Sequence, residues 1–447
     1  MSLHADSIRL HLARGPLGAR QLIEALGISQ PTLSRAMLEL GDEVVRIGAA
    51  RSIQYALRDE VRGLSDVEIY RVDPEARVHH LGTLTPVRPD GFVMREADGA
   101  TLYCPGLPWW LLDMRPQGYL GRAYAARHGR DLGLPERLIE WSDTHALKAL
   151  LAQGHDVVGN LLLGDRARAR FLHLEAAREP IGIEQKTGVY ARMAQDAANG
   201  EAPGSSAGGE QPKFAAWAMT ASGPRHVLVK FSEPVAGPVS ERWRDLLLAE
   251  HLALETLAQA GIDAARSELL SLEGQTFLEV ERFDRVGGLG RRGLISLAAL
   301  DAEFVGRGGP WPEITTALAA TGHIRREAAD RAHLLWAFGH LIGNTDMHGG
   351  NLSFIPDPGR PYAIAPAYDM TPMAFAPRRS GGLPDAIPAP DIRPGIAPDT
   401  WRSALDLARS FLSRILEAPG FSPRFAPCRQ ALARHLDDAQ AQIARLA

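Results

Sequence analysis

Cysteine and lysine are both scarce in this chain of 447 residues. Its only two cysteines, Cys104 and Cys428, lie far apart without the spacing of a metal site, which argues against a disulfide scaffold or structural zinc. No apolar run approaches the roughly 18 residues that span a bilayer, and the N-terminus MSLHADSIRL lacks the layout of a signal peptide. We therefore expect a cytoplasmic protein with no membrane partner.

The length of 447 residues exceeds what one compact core usually accommodates, because cores stop growing near about 250–300 residues. The hydrophobic share of 45%, the charged share of 23% and the net charge of -4 are those of an ordinary globular protein, and the charge by itself indicates no partner. We expect three domains at residues 1–62, 63–200 and 201–447, the last with a helical lobe from about residue 290.

The scarcity of lysine helps to identify candidate binding residues. Of the 49 basic residues only four are lysine, namely Lys148, Lys186, Lys213 and Lys230. A planar guanidinium cannot replace a compact ammonium where the cation must fit between oxygen atoms. A lysine that persists among so many arginines is therefore a candidate for such a site, and two of the four fall in the motifs below.

The first 60 residues or so predict a small separate unit. Ser29 fits the N-cap of a second helix with Pro31 in its first turn, and residues 44–47 and 52–57 alternate like the strands of a hairpin. The pattern resembles the winged helix-turn-helix modules of bacterial regulators, whose second helix enters the major groove. The DNA-binding residues predicted on this basis are Gln30, Thr32, Ser34, Arg35 and Arg51.

This unit is only weakly basic, with seven arginines against five acidic residues up to Arg58. A three-helix protein-interaction module that does not touch DNA therefore remains an alternative. Phosphate contacts would make true DNA binding steeply dependent on salt.

Two features after residue 204 suit phosphate binding. The run GSSAGGEQPK, residues 204–213, has small residues, including Gly208 and Gly209, that let backbone N–H groups approach phosphate oxygens; alone, it could be a flexible linker. In the strand HVLVKF, Lys230 points to the opposite face from Val229. A strand lysine of this kind holds the α- and β-phosphates in nucleotide-transferring folds, although an edge-strand lysine reaching water is the ordinary alternative.

A helix predicted from Arg242 to Ala260 places Glu250 in its apolar seam. Because an unpaired buried carboxylate is costly, pairing of Glu250 with Lys230 is the economical interpretation, while a frayed helix edge that exposes Glu250 is the alternative. The strand TFLEVERFDRV that follows, residues 276–286, could line an adenine pocket.

The most specific feature is GNTDMHGGN followed by APAYDM. Asp346 and Asn351 are five residues apart, as are the catalytic Asp and the Asn of the kinase loop, and Asp369 follows as the metal-binding Asp does. Asp346 would accept the proton of the attacking hydroxyl, while Asn351 and Asp369 would hold Mg²⁺. A metallohydrolase that uses His340, Asp346 and His348 as a mixed metal site is a competing interpretation.

Taken in order, GSSAGGEQPK, VLVK, VERFDR, GNTDMHGGN and APAYDM resemble the signature set of the HipA family of toxin kinases. The resemblance runs from about Val67 to near the C-terminus, and the extra N-terminal unit is more similar to the YjjJ-like members. It implies an α+β fold in which a winged helix-turn-helix precedes a two-lobed kinase, with a mixed N-lobe and a mainly helical C-lobe.

The resemblance also implies roles for particular residues. Asp346 corresponds to the catalytic base, Asn351 and Asp369 to the magnesium ligands, and Lys230, with Lys213 at the end of the loop, to the ATP-binding lysines. Further ATP-binding residues are Glu281 and Phe283 at the adenine hinge, Asp284 near the ribose, and Gly208 and Gly209 in the loop. Ser206, with Ser205 as a rival, matches the serine at which family members phosphorylate themselves.

The function expected from the resemblance is an ATP- and Mg²⁺-dependent serine/threonine protein kinase of a toxin-antitoxin system. Its partners would be ATP, a protein substrate (an aminoacyl-tRNA synthetase in known family members), DNA through the N-terminal unit, and a HipB-like antitoxin. A DNA-binding transcriptional regulator whose kinase-like body has weak or no activity is the alternative, and the N-terminal unit motivates it.

Overall fold

The computed structural model describes residues 3–49, 52–174, 179–198, 211–357, 359–378 and 380–446. It is a mixed α and β protein, and every pairing between its named strands is antiparallel. Within the described residues, no helix is both long enough and apolar enough to cross a membrane.

The N-terminal unit has three helices around a small apolar core and a three-stranded sheet in the order β1-β3-β2. Ser29 caps the third helix by accepting a hydrogen bond from the Thr32 amide, as its residue type predicts. The elements are α1 (Leu3–Leu12), β1 (Leu17–Gly18), α2 (Ala19–Leu26), α3 (Gln30–Leu40), β2 (Val44–Ile47) and β3 (Gln54–Leu57).

The middle unit is a five-stranded sheet in the order β7-β6-β5-β4-β8 with helices packed against it. Its elements are β4 (Val67–Val72), β5 (Val78–Val87), β6 (Gly91–Glu96), β7 (Thr101–Cys104), α4 (Gly118–His128), α5 (Asp143–Gln153), β8 (Leu161–Leu163) and α6 (Gly164–Leu172).

The N-terminal unit packs directly on this middle sheet. Val45 and Ile47 of β2 share a buried apolar cluster with Val87 and Val93, and the Gly48 amide donates a hydrogen bond of 2.7 Å to Thr101 Oγ1. One face of the N-terminal hairpin is therefore covered by the middle unit, while Arg46 on the other face is exposed.

A second sheet, in the order β11-β12-β10-β9, is covered on one face by α7 and contacted by the long helix α8. Pro238 takes the first turn of α8, so this helix begins four residues before the predicted Arg242. The elements are α7 (Lys186–Ala198), β9 (Lys213–Thr220), β10 (Gly223–Phe231), α8 (Pro238–Gln259), β11 (Ser267–Leu272) and β12 (Gln275–Glu281).

The rest of the chain is mostly helical, and one apolar core joins α8 to the helices that follow. The strands here are β13 (Arg285–Val286), β14 (Gly290–Arg291), β15 (Ile295–Ser296), β16 (Ser353–Ile355) and β17 (Ala363–Ile364). The helices are α9 (Leu297–Phe304), α10 (Trp311–Ala320), α11 (Arg326–Leu341), α12 (Pro398–Glu417) and α13 (Ala426–Ile443).

One boundary differs from the sequence-based expectation. The strand predicted over residues 276–286 ends at Glu281, because the chain turns there and the Arg282 amide donates to His226 O. Near the C-terminus the chain is helical, with a break between α12 and α13, where Gly420 has a φ of 104° and Pro423 follows.

Candidate active site

A buried ion pair joins the second sheet to α8. Lys230 Nζ donates to Glu250 Oε1 at 2.6 Å and to Oε2 at 2.7 Å. Thr371 Oγ1 donates to the same carboxylate at 2.7 Å. Glu250 is only 1% exposed, so this carboxylate depends on the ammonium and the hydroxyl for the hydrogen bonds that water would otherwise supply. The structure thus brings together the two residues that the sequence analysis paired.

Lys213 stands beside this pair. It lies directly opposite Lys230 in the antiparallel register of β9 and β10 and is 4% exposed. Burial lowers the pKa of Lys213 to about 8; attraction to Asp369 opposes the shift, and repulsion from Lys230 adds to it. Two neighbouring buried ammonium groups are a concentration of positive charge that suits an anion with several oxygens.

Asp369 faces these lysines. Burial by itself would raise its pKa, but the charges of Lys230 and Lys213 outweigh burial and lower the pKa to about 2. Lys230 Nζ donates to Asp369 Oδ1, and within the described part of the chain no hydrogen bond reaches Oδ2. The residue has a φ of 58°, a left-handed conformation that is uncommon for a non-glycine residue and, when it is found, often lies in a turn or at a functional site.

Asp346 is tied to Asp369 by a residue that the sequence analysis missed. Asn344 Oδ1 accepts a hydrogen bond of 3.0 Å from the Asp346 amide, and Asn344 Nδ2 donates to Asp369 O at 3.2 Å. Asn344 thereby sets the spacing of the two aspartates. Its position in GNTD, two residues before Asp346, was the available signal, because a short amide side chain there can bond the backbone two residues on.

Asn351 closes the same loop, because its Nδ2 donates to Asp346 O at 2.8 Å. This bond uses the amide nitrogen and leaves the side-chain oxygen as the atom able to bind a cation. Burial raises the pKa of Asp346, with nearby Asp369 adding to the increase while His348 and the two lysines oppose it. A raised carboxyl pKa brings the group closer to the working range of a general base.

The two predicted hinge residues lie at the end of β12. Glu281 Oε1 accepts a hydrogen bond of 2.8 Å from Thr220 Oγ1. The ring of Phe283 is 5.7 Å from that of Tyr368, the neighbour of Asp369. Tyr368 in turn donates to Gly350 O at 2.7 Å, so Phe283 is connected through Tyr368 to the loop of Asp346.

Asp284 has a different setting from the one expected. Its carboxylate accepts hydrogen bonds from Arg282, from Arg285 and from the Gly159 amide, at 2.7–3.0 Å, and it is 5% exposed. This buried network joins the middle unit to the turn after β12. Two guanidinium groups already engage this carboxylate, and its contact with a ribose stays a prediction.

The mixed metal site of the competing metallohydrolase hypothesis does not form. Among the described residues, no group of three or more His, Cys, Asp and Glu side chains could hold a metal ion. His340 Nε2 instead accepts a hydrogen bond of 3.0 Å from the Asp391 amide, and His348 Nδ1 accepts one from the Gly350 amide. Both imidazoles are used to hold loops, which corrects that interpretation.

Several predicted residues lie outside the described part of the chain. They are Ser205, Ser206, Gly208 and Gly209 of the glycine-rich run, and Arg51 of the hairpin. Among the other predicted DNA-binding residues, Gln30, Ser34 and Arg35 are exposed on α3. Thr32 is half-buried, and its hydroxyl lies 2.9 Å from Ser29 Oγ.

Comparisons with known proteins agree over nearly the full length. Residues 64–172 match the family described as "YjjJ-like toxin, middle domain", and residues 205–415 match "HipA-like C-terminal domain". Toxin YjjJ of Escherichia coli (strain K12) is 38% identical over 438 residues, which cover 97% of this chain and 98% of that protein.

A solved structure has the same fold. It is a chain of the Shewanella oneidensis MR-1 toxin antitoxin complex of HipA, HipB and its operator DNA, with a TM-score of 0.50 and 16% identity. The alignment covers 85% of this chain and 97% of that one. At this identity the likeness concerns the fold alone.

Proposed function

The chain belongs to the HipA family of toxins as a YjjJ-like member, and from this premise we propose that it is an ATP- and Mg²⁺-dependent serine/threonine protein kinase. The observation that carries the proposal is the convergence of Lys230, Lys213 and Asp369, with Asp346 held beside Asp369 by Asn344. The domains proposed to carry it are 1–62, 63–200 and 201–447.

The residues fit a magnesium-bound nucleotide. Asp369 is ionised at neutral pH because its pKa is about 2, and Oδ2 has no hydrogen bond within the described residues. The side-chain oxygen of Asn351 is the second oxygen donor, since its nitrogen is used by Asp346 O. Carboxylate and amide oxygens suit a hard cation, and two ammonium groups suit the phosphates.

In this proposal Lys230 and Lys213 hold the phosphates, and Asn351 and Asp369 hold Mg²⁺, which neutralises charge on the transferring phosphoryl group when bound. Asp346 takes the proton from the attacking serine or threonine hydroxyl. The new oxygen–phosphorus bond forms as the bond from the γ-phosphorus to the nucleoside diphosphate breaks. Glu250 positions Lys230, while Glu281 and Phe283 line the adenine end.

The test is phosphoryl transfer from labelled ATP. Asp346→Asn should lower transfer by about 10²–10⁴-fold, the usual contribution of a general base. Asp330→Asn, on the exposed side of α11, makes the same chemical change away from the site and should leave the rate unchanged. Equal labelling of wild type and Asp346→Asn would remove Asp346 as the base.

We propose further that the chain phosphorylates itself at Ser206, with Ser205 as the rival position. Phosphopeptide mass spectrometry of the purified protein should locate the phosphate, and Ser206→Ala should remove it while Ser205→Ala does not. Comparing the phosphoproteins of cells that express wild type or Asp346→Asn would identify the external protein substrate.

A second activity, DNA binding, is supported by the N-terminal unit. The three helices and the β1-β3-β2 sheet are compatible with the predicted winged helix-turn-helix, and α3 exposes Gln30, Ser34 and Arg35. The relative from Shewanella oneidensis was solved with HipB and operator DNA, so we propose operator DNA and a HipB-like antitoxin as partners. DNA binding without any transfer activity would favour the regulator alternative.

Point variants test DNA binding more cleanly than deletion, because removing residues 1–60 would expose Val87 and Val93. Arg35→Ala should weaken DNA retention in a gel by about 10-fold or more and make it less dependent on salt. Arg434→Ala, an exposed arginine of α13, is the control. Retention that is the same for both variants would place the DNA contact elsewhere.

A further inference from the structure

A groove of about 500 Å³ lies between the start of α10 and residues 393–396, and we propose that it docks an acidic segment of the protein that the kinase phosphorylates. This inference rests on the proposed kinase function and names a chemical property of its substrate. The groove shares no lining residue with the Lys230 and Asp369 cluster. Its apolar surface comes from Trp336, Pro310, Pro312, Pro394 and Ile396.

One wall of the groove is the turn that carries Arg307, and this turn is held in place by hydrogen bonds within the protein. The Asp301 carboxylate accepts hydrogen bonds from the amides of Arg307, at 3.2 Å, and Gly308, at 2.9 Å. Gly308 and Gly309 have positive φ values of 63° and 104°, which glycine adopts at little cost. The turn therefore presents Arg307 at the rim without help from a bound partner.

The other wall of the groove, residues 393–396, is also held in place by hydrogen bonds. The Asp391 amide donates to His340 Nε2 at 3.0 Å, and Trp401 Nε1 donates to Arg393 O at 3.1 Å. The Arg393 guanidinium lies over the Trp336 ring, 5.5 Å from its centre. Because both walls are held by internal hydrogen bonds, a docking segment would not have to order them, which favours binding.

The groove borders the loop of the proposed catalytic base. Trp311 Nε1 donates a hydrogen bond of 3.0 Å to His348 O, and His348 is two residues from Asp346. The neighbours of Trp311 on both sides, Pro310 and Pro312, line the groove. A segment bound here would lie beside the loop that carries Asp346, where its own chain could present a hydroxyl to that residue.

The charged residues that line the groove indicate the chemical character of the docking segment. The groove has two arginines, Arg307 and Arg393, against one acidic residue, Glu313. Glu313 lies in the first turn of α10, where the helix dipole already stabilises a negative charge. Arg393 is paired with Asp391 at 2.8 Å, whereas in the described part of the chain the exposed Arg307 side chain has no ion pair. An acidic residue beside an apolar one complements this surface.

The experiment uses degenerate peptides with a central serine and one further position held as Glu, Lys or Ala. Phosphorylation from labelled ATP is measured for the full-length protein and for Arg307→Glu. Arg326→Glu, an exposed residue at the start of α11 outside the groove, is the charge-matched control. Thr316→Trp fills the groove without changing its charge.

Wild type and Arg326→Glu should prefer Glu over Lys at one or more positions by about 10-fold, since charge pairs across an interface set specificity. Arg307→Glu should lose or invert that preference, and Thr316→Trp should lower phosphorylation of all peptides. Labelling of Ser206 and the KM for ATP should stay the same in every variant.

Other results overturn the inference. One is a wild type with no preference for acidic peptides, and another is an unchanged preference in Arg307→Glu. A third is labelling of Ser206 while no peptide is phosphorylated, a result that would leave the kinase proposal intact. Loss of DNA retention on Arg307→Glu with peptide preference unchanged would assign the groove to nucleic acid. Absence of any labelling in wild type would defeat the proposed function itself, and the docking inference with it.

Discussion

The two faces of the sheet formed by β9 to β12 both bury lysine against carboxylates, yet they balance the charge differently. On the face covered by α7, Lys186 donates to Glu279 at 2.8 Å and to Glu268 at 2.9 Å, and Tyr190 donates to the same Glu279. The opposite face carries the proposed phosphate-binding residues and is called the cleft face. On it, Lys230 and Lys213 lie side by side near Glu250 and Asp369.

The difference shows what separates a structural charge cluster from a candidate site. On the α7 face the ammonium, carboxylate and hydroxyl groups pair with one another, and none of the residues that carry them has a positive φ. These residues are Lys186, Glu268, Glu279 and Tyr190. The cleft face has two adjacent ammonium groups, an aspartate with a φ of 58° and a free carboxylate oxygen within the described residues. Concentrated like charge and backbone strain are costly unless a ligand uses them.

The largest expected effect is that of Asp369→Asn on the cleft face. Phosphoryl transfer should fall by about 10³-fold or more, because a cation ligand and the counter-charge of the lysines are lost. The unfolding free energy should fall by about 2–3 kcal/mol, because the lowered pKa of Asp369 reflects its attraction to the two lysines, while asparagine tolerates the left-handed conformation. Labelled transfer and denaturant unfolding measure both quantities. Transfer within tenfold of wild type would refute the role of Asp369.

Lys186→Met on the α7 face should lower stability and leave phosphoryl transfer nearly unchanged. Removing one partner of a buried ion pair costs about 3–5 kcal/mol of stability, because Glu279, 2% exposed, would lose its counter-charge. Below the melting temperature, transfer should remain within about twofold of wild type. Lys148→Met, the one lysine that is not buried, should change stability by about 0.5 kcal/mol or less. Lost transfer with unchanged stability would mean that the α7 face belongs to the site.

The smallest expected effect is the change of ATP affinity with pH. Burial lowers the pKa of Lys213 to about 8, so its ammonium is charged below pH 8 and neutral above. ATP affinity should be constant below that pH and fall by up to about tenfold per unit above it. Between pH 8 and the ordinary lysine pKa of 10.5, the unfolded chain binds more protons, so the contribution of Lys213 to stability rises with pH.

ATP titrations at pH 7, 8 and 9 test this prediction, with Lys213→Met as the control that should bind more weakly at pH 7 and vary less with pH. Lys186 offers the contrast, because its two carboxylates outweigh burial and raise its pKa. A wild type whose affinity does not change up to pH 9 would contradict the lowered pKa.

Much of the fold was predictable because it rests on local patterns. Ser29 is a cap because its hydroxyl reaches the Thr32 amide, and the alternation in HVLVKF put Lys230 on the face opposite Val229. The relation between Lys230 and Glu250 could also be inferred, since a carboxylate in an apolar seam needs a cation. The family assignment agrees with the motifs that suggested it.

Other features could not be inferred from local patterns. The sequence analysis predicts a nucleotide contact for Asp284, but it gives no sign of the hydrogen bond that Asp284 accepts from Gly159, a residue far away in sequence. The rarity of lysine marked burial rather than function: Lys186, Lys213 and Lys230 are 2%, 4% and 7% exposed, and only two of them face the cleft. Lysine is among the residue types least often buried, so both the burial of these three side chains and the identity of their neighbours depend on the whole chain.

The sequence by itself determined which groups are available: the order of the motifs, the spacing of Asp346 and Asn351, and the periodicities that set each residue's face. Only the tertiary structure decided which groups meet. The bridge from Asn344 to Asp369, the ion pair from Lys186 of α7 to Glu279 and the hydrogen bond from Trp311 to His348 all join segments that are distant along the chain. Hydrogen bonds and ion pairs act over a few ångströms, so their effect depends on folded distances and burial that local sequence does not contain.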